Sequence, residues 1–113
     1  MPMRVGFTEY RKQLLERELE NIQAMLPNLG VEKVILTGDM ASGNYSPISR
    51  IELIVVHKTE YTYARRADFF FWHFNCSVAI DTQVYTPEEF ETCRDTLPAL
   101  KLACERGQVI FDA

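Results

Sequence analysis

Two short apolar runs, Val34-Ile35-Leu36 and Ile51-Glu52-Leu53-Ile54-Val55-Val56, flank a polar segment that holds Gly38, Gly43, Asn44 and Pro47. Both runs are too apolar for loops and rich in β-branched residues, so they read as buried strands, over about Val31–Thr37 and Arg50–His57. Gly38 ends the first strand, and a tight polar turn follows it. On a strand, residues two apart share a face. Arg50 and Glu52 therefore look the same way, beside the mouth of the Gly38 turn.

The rest of the chain supplies elements to pack on those strands. From Thr8 to Leu26, Leu15, Leu19, Ile22 and Leu26 draw one apolar stripe on a helix that Pro27 and Gly30 end, and its role is to cover one sheet face. The segment Glu60–Asn75 is ambiguous. As a helix it sets Tyr63, Ala67, Phe70, Phe71 and Phe74 on the core and leaves Phe69, Trp72 and His73 pointing elsewhere. A second aromatic face in so small a protein suggests contact with another chain, against the alternative that loops wrap these rings. A strand over the Phe run stays open as well, since aromatics also favour strands.

Val78, Ile80, Thr82 and Val84 alternate along a third strand, Ser77–Tyr85. Thr86-Pro87-Glu88-Glu89 is a helix start with a capping box, for a short helix to about Arg94. Another helix covers Pro98–Arg106, with Leu97, Leu100 and Ala103 or Cys104 inward. Gly107 ends it before a final short strand, Gln108–Phe111. The expected fold is α/β (α+β), with a small mixed sheet of about four strands and helices packed mainly on one face, as a single domain over residues 1–113.

Composition bounds the function classes. A chain of 113 residues, 47% hydrophobic, suits one compact core. A net charge of −4 with no basic stripe argues against nucleic acid as a partner. No run approaches membrane-spanning length, and the opening Met-Pro-Met-Arg-Val lacks the apolar core of a signal peptide. Cys76, Cys93 and Cys104 are odd in number and lack metal-ligand spacing, so they read as reduced, mostly buried thiols in a cytoplasmic protein. His57 and His73 have no partners at ligand spacing and read as structural or exposed. Tyr45 and Ser46 read as loop-stabilising hydroxyls.

The central stretch resembles the minimal nucleotidyltransferase family, relatives of the DNA polymerase β palm. That family's motif is an apolar strand, Gly-Ser or Gly-Gly, a short intervening run, then Asp-apolar-Asp/Glu-apolar on the next strand. Here it stands as Thr37-Gly38-Asp39, then Met40 to Ser49, then Arg50-Ile51-Glu52-Leu53. Gly38-x-x-Ala41-x-Gly43 and Ser49-x-Ile51 match the texture of the family's turn. Asp81, ahead of Tyr85-Thr86-Pro87-Glu88-Glu89, matches its third carboxylate. The resemblance spans roughly Val31 to Ala113 and implies the nucleotidyltransferase fold.

It also implies a chemistry that two positions oppose. In the family, three carboxylates hold divalent metal, and the Gly-Ser turn grips a triphosphate. In this chain Arg50 takes the place of the first metal-binding carboxylate, and a guanidinium cannot ligate a cation. Its charge is expected to pair with Glu52 and Asp81 in place of the ion. Asp39 replaces the phosphate-binding Ser or Gly and is expected to cap the following helical turn. The resemblance thus assigns Glu52 and Asp81 as remnants of a catalytic set, and Gly38, Asp39 and Ser49 as a degenerate phosphate turn. No metal or cofactor is expected, unless Glu52 and Asp81 hold a metal weakly.

The function that follows is a degenerate, catalytically impaired nucleotidyltransferase-fold protein, a pseudoenzyme acting through protein contacts. Its partner would be a second copy or a helical protein in a toxin–antitoxin-like pair, met through Phe69, Trp72 and His73. The alternative is an active nucleotidyltransferase that uses Mg and ATP to move a nucleoside monophosphate onto a protein or small molecule. A third option, a cationic or uncharged small ligand in the cleft, stays open.

Overall fold

The computed structural model of the chain describes residues 2–113, with side chains from residue 6 onward. The expectation about the first five residues lies outside those described side chains. Helix α1, Pro2–Met25, runs into a short 3-10 turn, Leu26–Asn28, where Pro27 stops the regular helix. Strand β1, Lys33–Thr37, leads through a five-residue helix α2, Gly38–Ser42, and a loop into β2, Ile51–Val56. Helix α3 is Tyr63–Phe74, β3 is Ile80–Tyr85, α4 is Pro87–Cys93, α5 is Pro98–Arg106 and β4 is Gln108–Asp112.

The four strands form one sheet in the order β3-β2-β1-β4. β1 pairs antiparallel with both β2 and β4, while β2 and β3 run parallel, as the intervening α3 crossover requires. The sheet is mixed and four-stranded, as expected. Period-two alternation then sorts the core into two clusters. Val34, Leu36, Leu53 and Val55 face the long helices α1 and α3, meeting Leu15, Ile22, Phe70 and Phe74. Ile35, Ile54, Val56 and Tyr85 face the short helices α4 and α5, meeting Phe90, Leu100 and Ala103. The larger helices thus share one face, and the other face carries its own smaller layer.

Gly107 makes the second layer possible. A Cβ there would lie 2.6 Å from Ile35 Cγ2 and 2.5 Å from Ala103 O, so only glycine lets the chain leave α5 and enter β4 across β1.

The Glu60–Asn75 segment is a helix, but its buried face differs from the one expected. Arg66, Phe70 and Phe74 are buried at a spacing of four, while Tyr63 and Phe71 are exposed at 50% and 61%. The face is rotated because Arg66 enters the interior. Its Nε donates to Tyr61 O at 2.9 Å, Nη1 to Val84 O at 3.3 Å, and both terminal nitrogens donate to the Glu89 carboxylate. A buried guanidinium is tolerable when its donors are matched in this way. Phe69 is not free either. It packs on the core, with His57 stacked at 5.7 Å and His73 at 4.2 Å between ring centroids.

Thr86 and Glu89 form the expected reciprocal capping box at the start of α4. Arg66 holds the Glu89 carboxyl below the usual glutamate range by hydrogen bonding, and the Thr86 backbone amide adds to the effect. The cysteines are less buried than expected. Cys76 and Cys93 are half-buried and Cys104 is exposed, because Ala103 takes the inward position on α5. Leu97, also expected inward, is 41% exposed at the cap of α5. Among the described residues, no helix is long and apolar enough to cross a membrane.

Candidate functional site

The site lies where β1 ends and β2 begins, on the sheet face that α5 covers. Register fixes its members before any side chain is considered. Thr37 is the Cα partner of Glu52 across the antiparallel pair, and Glu52 is the Cα partner of Asp81 across the parallel pair. Alternation adds Ile54 and Gln83 one step further along the same face. A cavity of about 410 Å³ opens there between Thr37, Gly38, Glu52, Gln83 and the α5 residues Leu102 and Arg106.

Gly38 sits at φ +71°, in the left-handed region, at the start of α2. The Glu52 side chain lies directly against it: a Cβ at position 38 would be 1.8 Å from Glu52 Oε2. The glycine is therefore needed twice, once for its backbone angle and once for the carboxylate resting on it. Half-buried, Glu52 fills the space immediately over the Gly38 backbone.

Asp39 does not cap the helical turn. Thr37 is the N-cap of α2 and makes no side-chain cap bond. Asp39 Oδ2 instead accepts from the Ser49 hydroxyl at 2.7 Å. Ser49 is 2% exposed, its Oγ accepts from Ser46 N at 2.8 Å, and its carbonyl accepts from Arg11 Nε at 2.7 Å. The pair thus closes the loop between α2 and β2 and ties it to α1. Ser46 serves the same loop, its Oγ accepting from Ile48 N. Buried hydroxyls satisfied in this way are fixed parts of a turn.

Arg50 lies just before β2 and is exposed. The expected pairing with Glu52 and Asp81 is not made: among the described residues no ion pair joins Arg50 to either carboxylate. The reason is local. Glu52 turns toward Gly38, and Asp81 stands exposed at the start of β3, so neither reaches back to the strand entry. Among the described residues, no group of three or more His, Cys, Asp or Glu is disposed to hold a metal ion.

The structure therefore brings Gly38 and Glu52 together, sets Asp81 beside Glu52, couples Asp39 to Ser49, and leaves Arg50 at the rim. Sequence reasoning quoted Thr37 only as part of the turn motif, giving it no role in the site, and missed Gln83 and Arg106 as site members. Thr37 and Gln83 were legible in principle, since Gln83 follows Asp81 by two on one strand. Arg106 was not, because its place depends on α5 folding back over the sheet.

Compared with known proteins, the chain matches no family model, no curated protein and no solved structure.

Proposed function

We propose that this protein is a nucleotidyltransferase-like domain whose pocket does not carry out metal–triphosphate chemistry and which acts through protein contacts. The observation that carries the reading is the Glu52 carboxylate lying over Gly38. A triphosphate held on that backbone would meet a negative charge at contact distance. Each such pair costs about 1 kcal/mol at 4 Å in water and roughly 4 kcal/mol at an intermediate dielectric. Asp39 cannot relieve this, being itself a carboxylate held in place by Ser49.

The magnesium that the resemblance implies does not fit the residues present. Two carboxylates remain, one turned onto a glycine and one exposed, and a guanidinium stands where a third oxygen ligand is needed. The exposed aromatics of α3, with Trp72 at 76% and Phe71 at 61%, support action through a protein partner, whether a second copy or a helical protein in a toxin–antitoxin-like pair. Three free thiols suit a cytoplasmic setting.

The second reading, transfer of a nucleoside monophosphate from a Mg-bound ATP, is favoured by one feature: Glu52 and Asp81 are register partners on adjacent parallel strands. Calorimetric titration of the protein with ATP in the presence of Mg separates the two. The proposal expects no binding tighter than about 1 mM, and micromolar, metal-dependent binding overturns it.

A further inference from the structure

Helix α3 carries a second organised face. Round the helix, Arg65, Asp68 and Trp72 fall within about 60° of one another, opposite the buried stripe of Arg66, Phe70 and Phe74. With Tyr61 and Phe69 they line a shallow groove of about 200 Å³. A helix face opposite the core is normally polar throughout. This one carries Trp72 at 76% exposure beside one positive and one negative side chain, with Tyr61 at 60% in the turn just before the helix. Arg65 and Asp68 stand three apart, yet among the described residues neither makes an ion pair.

In an isologous contact, residue i meets residue j while j meets i, so two antiparallel copies of a helix pair positions placed symmetrically about one point. Take that point between Arg66 and Ala67. Arg65 then faces Asp68 of the second copy, and Asp68 faces its Arg65. In the same register the small Ala64 faces the large Phe69, and Tyr61, in the turn before the helix, lies toward the Trp72 end of the second copy. Opposite charges meet on both sides of the axis with no change of register, and the chain entering each helix lies at the Trp72 end of the other.

We infer that a second copy of this chain docks on this groove, α3 against α3 about a two-fold axis, with reciprocal Arg65–Asp68 pairs and Trp72 covered at each end. The inference rests on the reading that the protein acts through protein contacts, and it names the partner and the register. Such charge pairs fix register more than they add affinity, so reversing one should be decisive.

The test is sedimentation velocity on the intact protein, alongside emission from Trp72, the chain's one tryptophan. The wild type should be dimeric at about 100 µM, with Trp72 emission moving to the red on dilution as the ring meets water. Arg65→Asp and Asp68→Arg alone should each raise the dissociation constant at least about tenfold, by placing like charges opposite one another. Mixed in equal amounts, the two variants should associate, because every reversed charge then finds its complement. Both residues are exposed, and far-UV circular dichroism checks that each variant folds.

A monomeric wild type at that concentration overturns the inference. A dimer indifferent to both reversals, or a mixture that stays monomeric, overturns the α3 register while leaving action through protein contacts standing. The ATP titration reads the pocket independently of all three results.

Discussion

Replacing Arg66 by methionine tests whether the buried guanidinium holds the β3 side of the fold together. Tyr85 O is taken by His57 N on the β2 side of β3 at 2.9 Å, so the neighbouring Val84 O points out of the open sheet edge, where Arg66 meets it. Arg66→Met keeps an apolar stem of similar length. It removes donors from Val84 O and Tyr61 O and uncouples Glu89 from α3. Breaking a fully buried pair costs about 3–5 kcal/mol. Here the Glu89 side chain is 43% exposed and regains water, which reduces that figure. The two carbonyls add about 1 kcal/mol each. A net loss of about 2–3 kcal/mol follows, or roughly 8–12 °C in Tm for a chain of this size.

The pH dependence gives a second readout. The folded Glu89 pKa is depressed, chiefly by Arg66. Its contribution is therefore complete above the ordinary glutamate pKa and is lost as pH falls through the lower folded value. Thermal melts of the wild type should lose stability through that acid window, and Arg66→Met should lose less there. A variant that melts within 2 °C of the wild type, with an unchanged acid profile, would mean that Arg66 does not hold β3 and α4 to α3.

Three further outcomes follow from the geometry. Gly38→Ala combines a left-handed backbone angle with a Cβ driven into Glu52, and should cost about 2 kcal/mol; adding Glu52→Ala should recover part of it, and strict additivity in a double-mutant cycle by denaturant melts contradicts the contact. Ser49→Ala leaves Asp39 and Ser46 N without their shared partner and should cost about 1–2 kcal/mol by the same melts, with no loss contradicting the closed loop. Burial, aided by Glu18, pushes the Cys76 thiol up to about 11, so alkylation at pH 8 read by mass spectrometry should label exposed Cys104 well before Cys76.

Local signals carried the sequence reading where they were strong. The capping box at Thr86 and the helix Pro98–Arg106 stand where propensity and punctuation put them, because both are fixed within a few residues. β1 and β2 were legible as apolar, β-branched runs and β3 from its alternation, while β4 was read from the punctuation of Gly107; each strand has at least one end off by one to three residues. The orientation of α3 was not legible, since counting aromatics as core-facing gives no place to an arginine whose four acceptors come from the turn before α3, from β3 and from α4. At the site, Glu52 could be placed beside Gly38 from strand alternation, whereas Asp81 was placed there only by the resemblance. The side-chain choices could not: Asp39 has a backbone turn and a buried serine within reach, and only the packed loop selects the serine. Glu52 turning onto Gly38 rather than toward Arg50 is likewise a decision of the third dimension.

In the function we propose, the Glu52 carboxylate and the Arg50 guanidinium together keep metal-bound triphosphate off the Gly38 turn. Electron paramagnetic resonance of added Mn, with and without ATP, on the wild type and on Arg50→Asp, tests it most directly. No protein-bound Mn signal is expected for the wild type with ATP below about millimolar concentrations, and Arg50→Asp, which supplies a third oxygen ligand but leaves Glu52 over Gly38, should gain a signal from Mn alone. Micromolar Mn–ATP bound to the wild type contradicts the proposal.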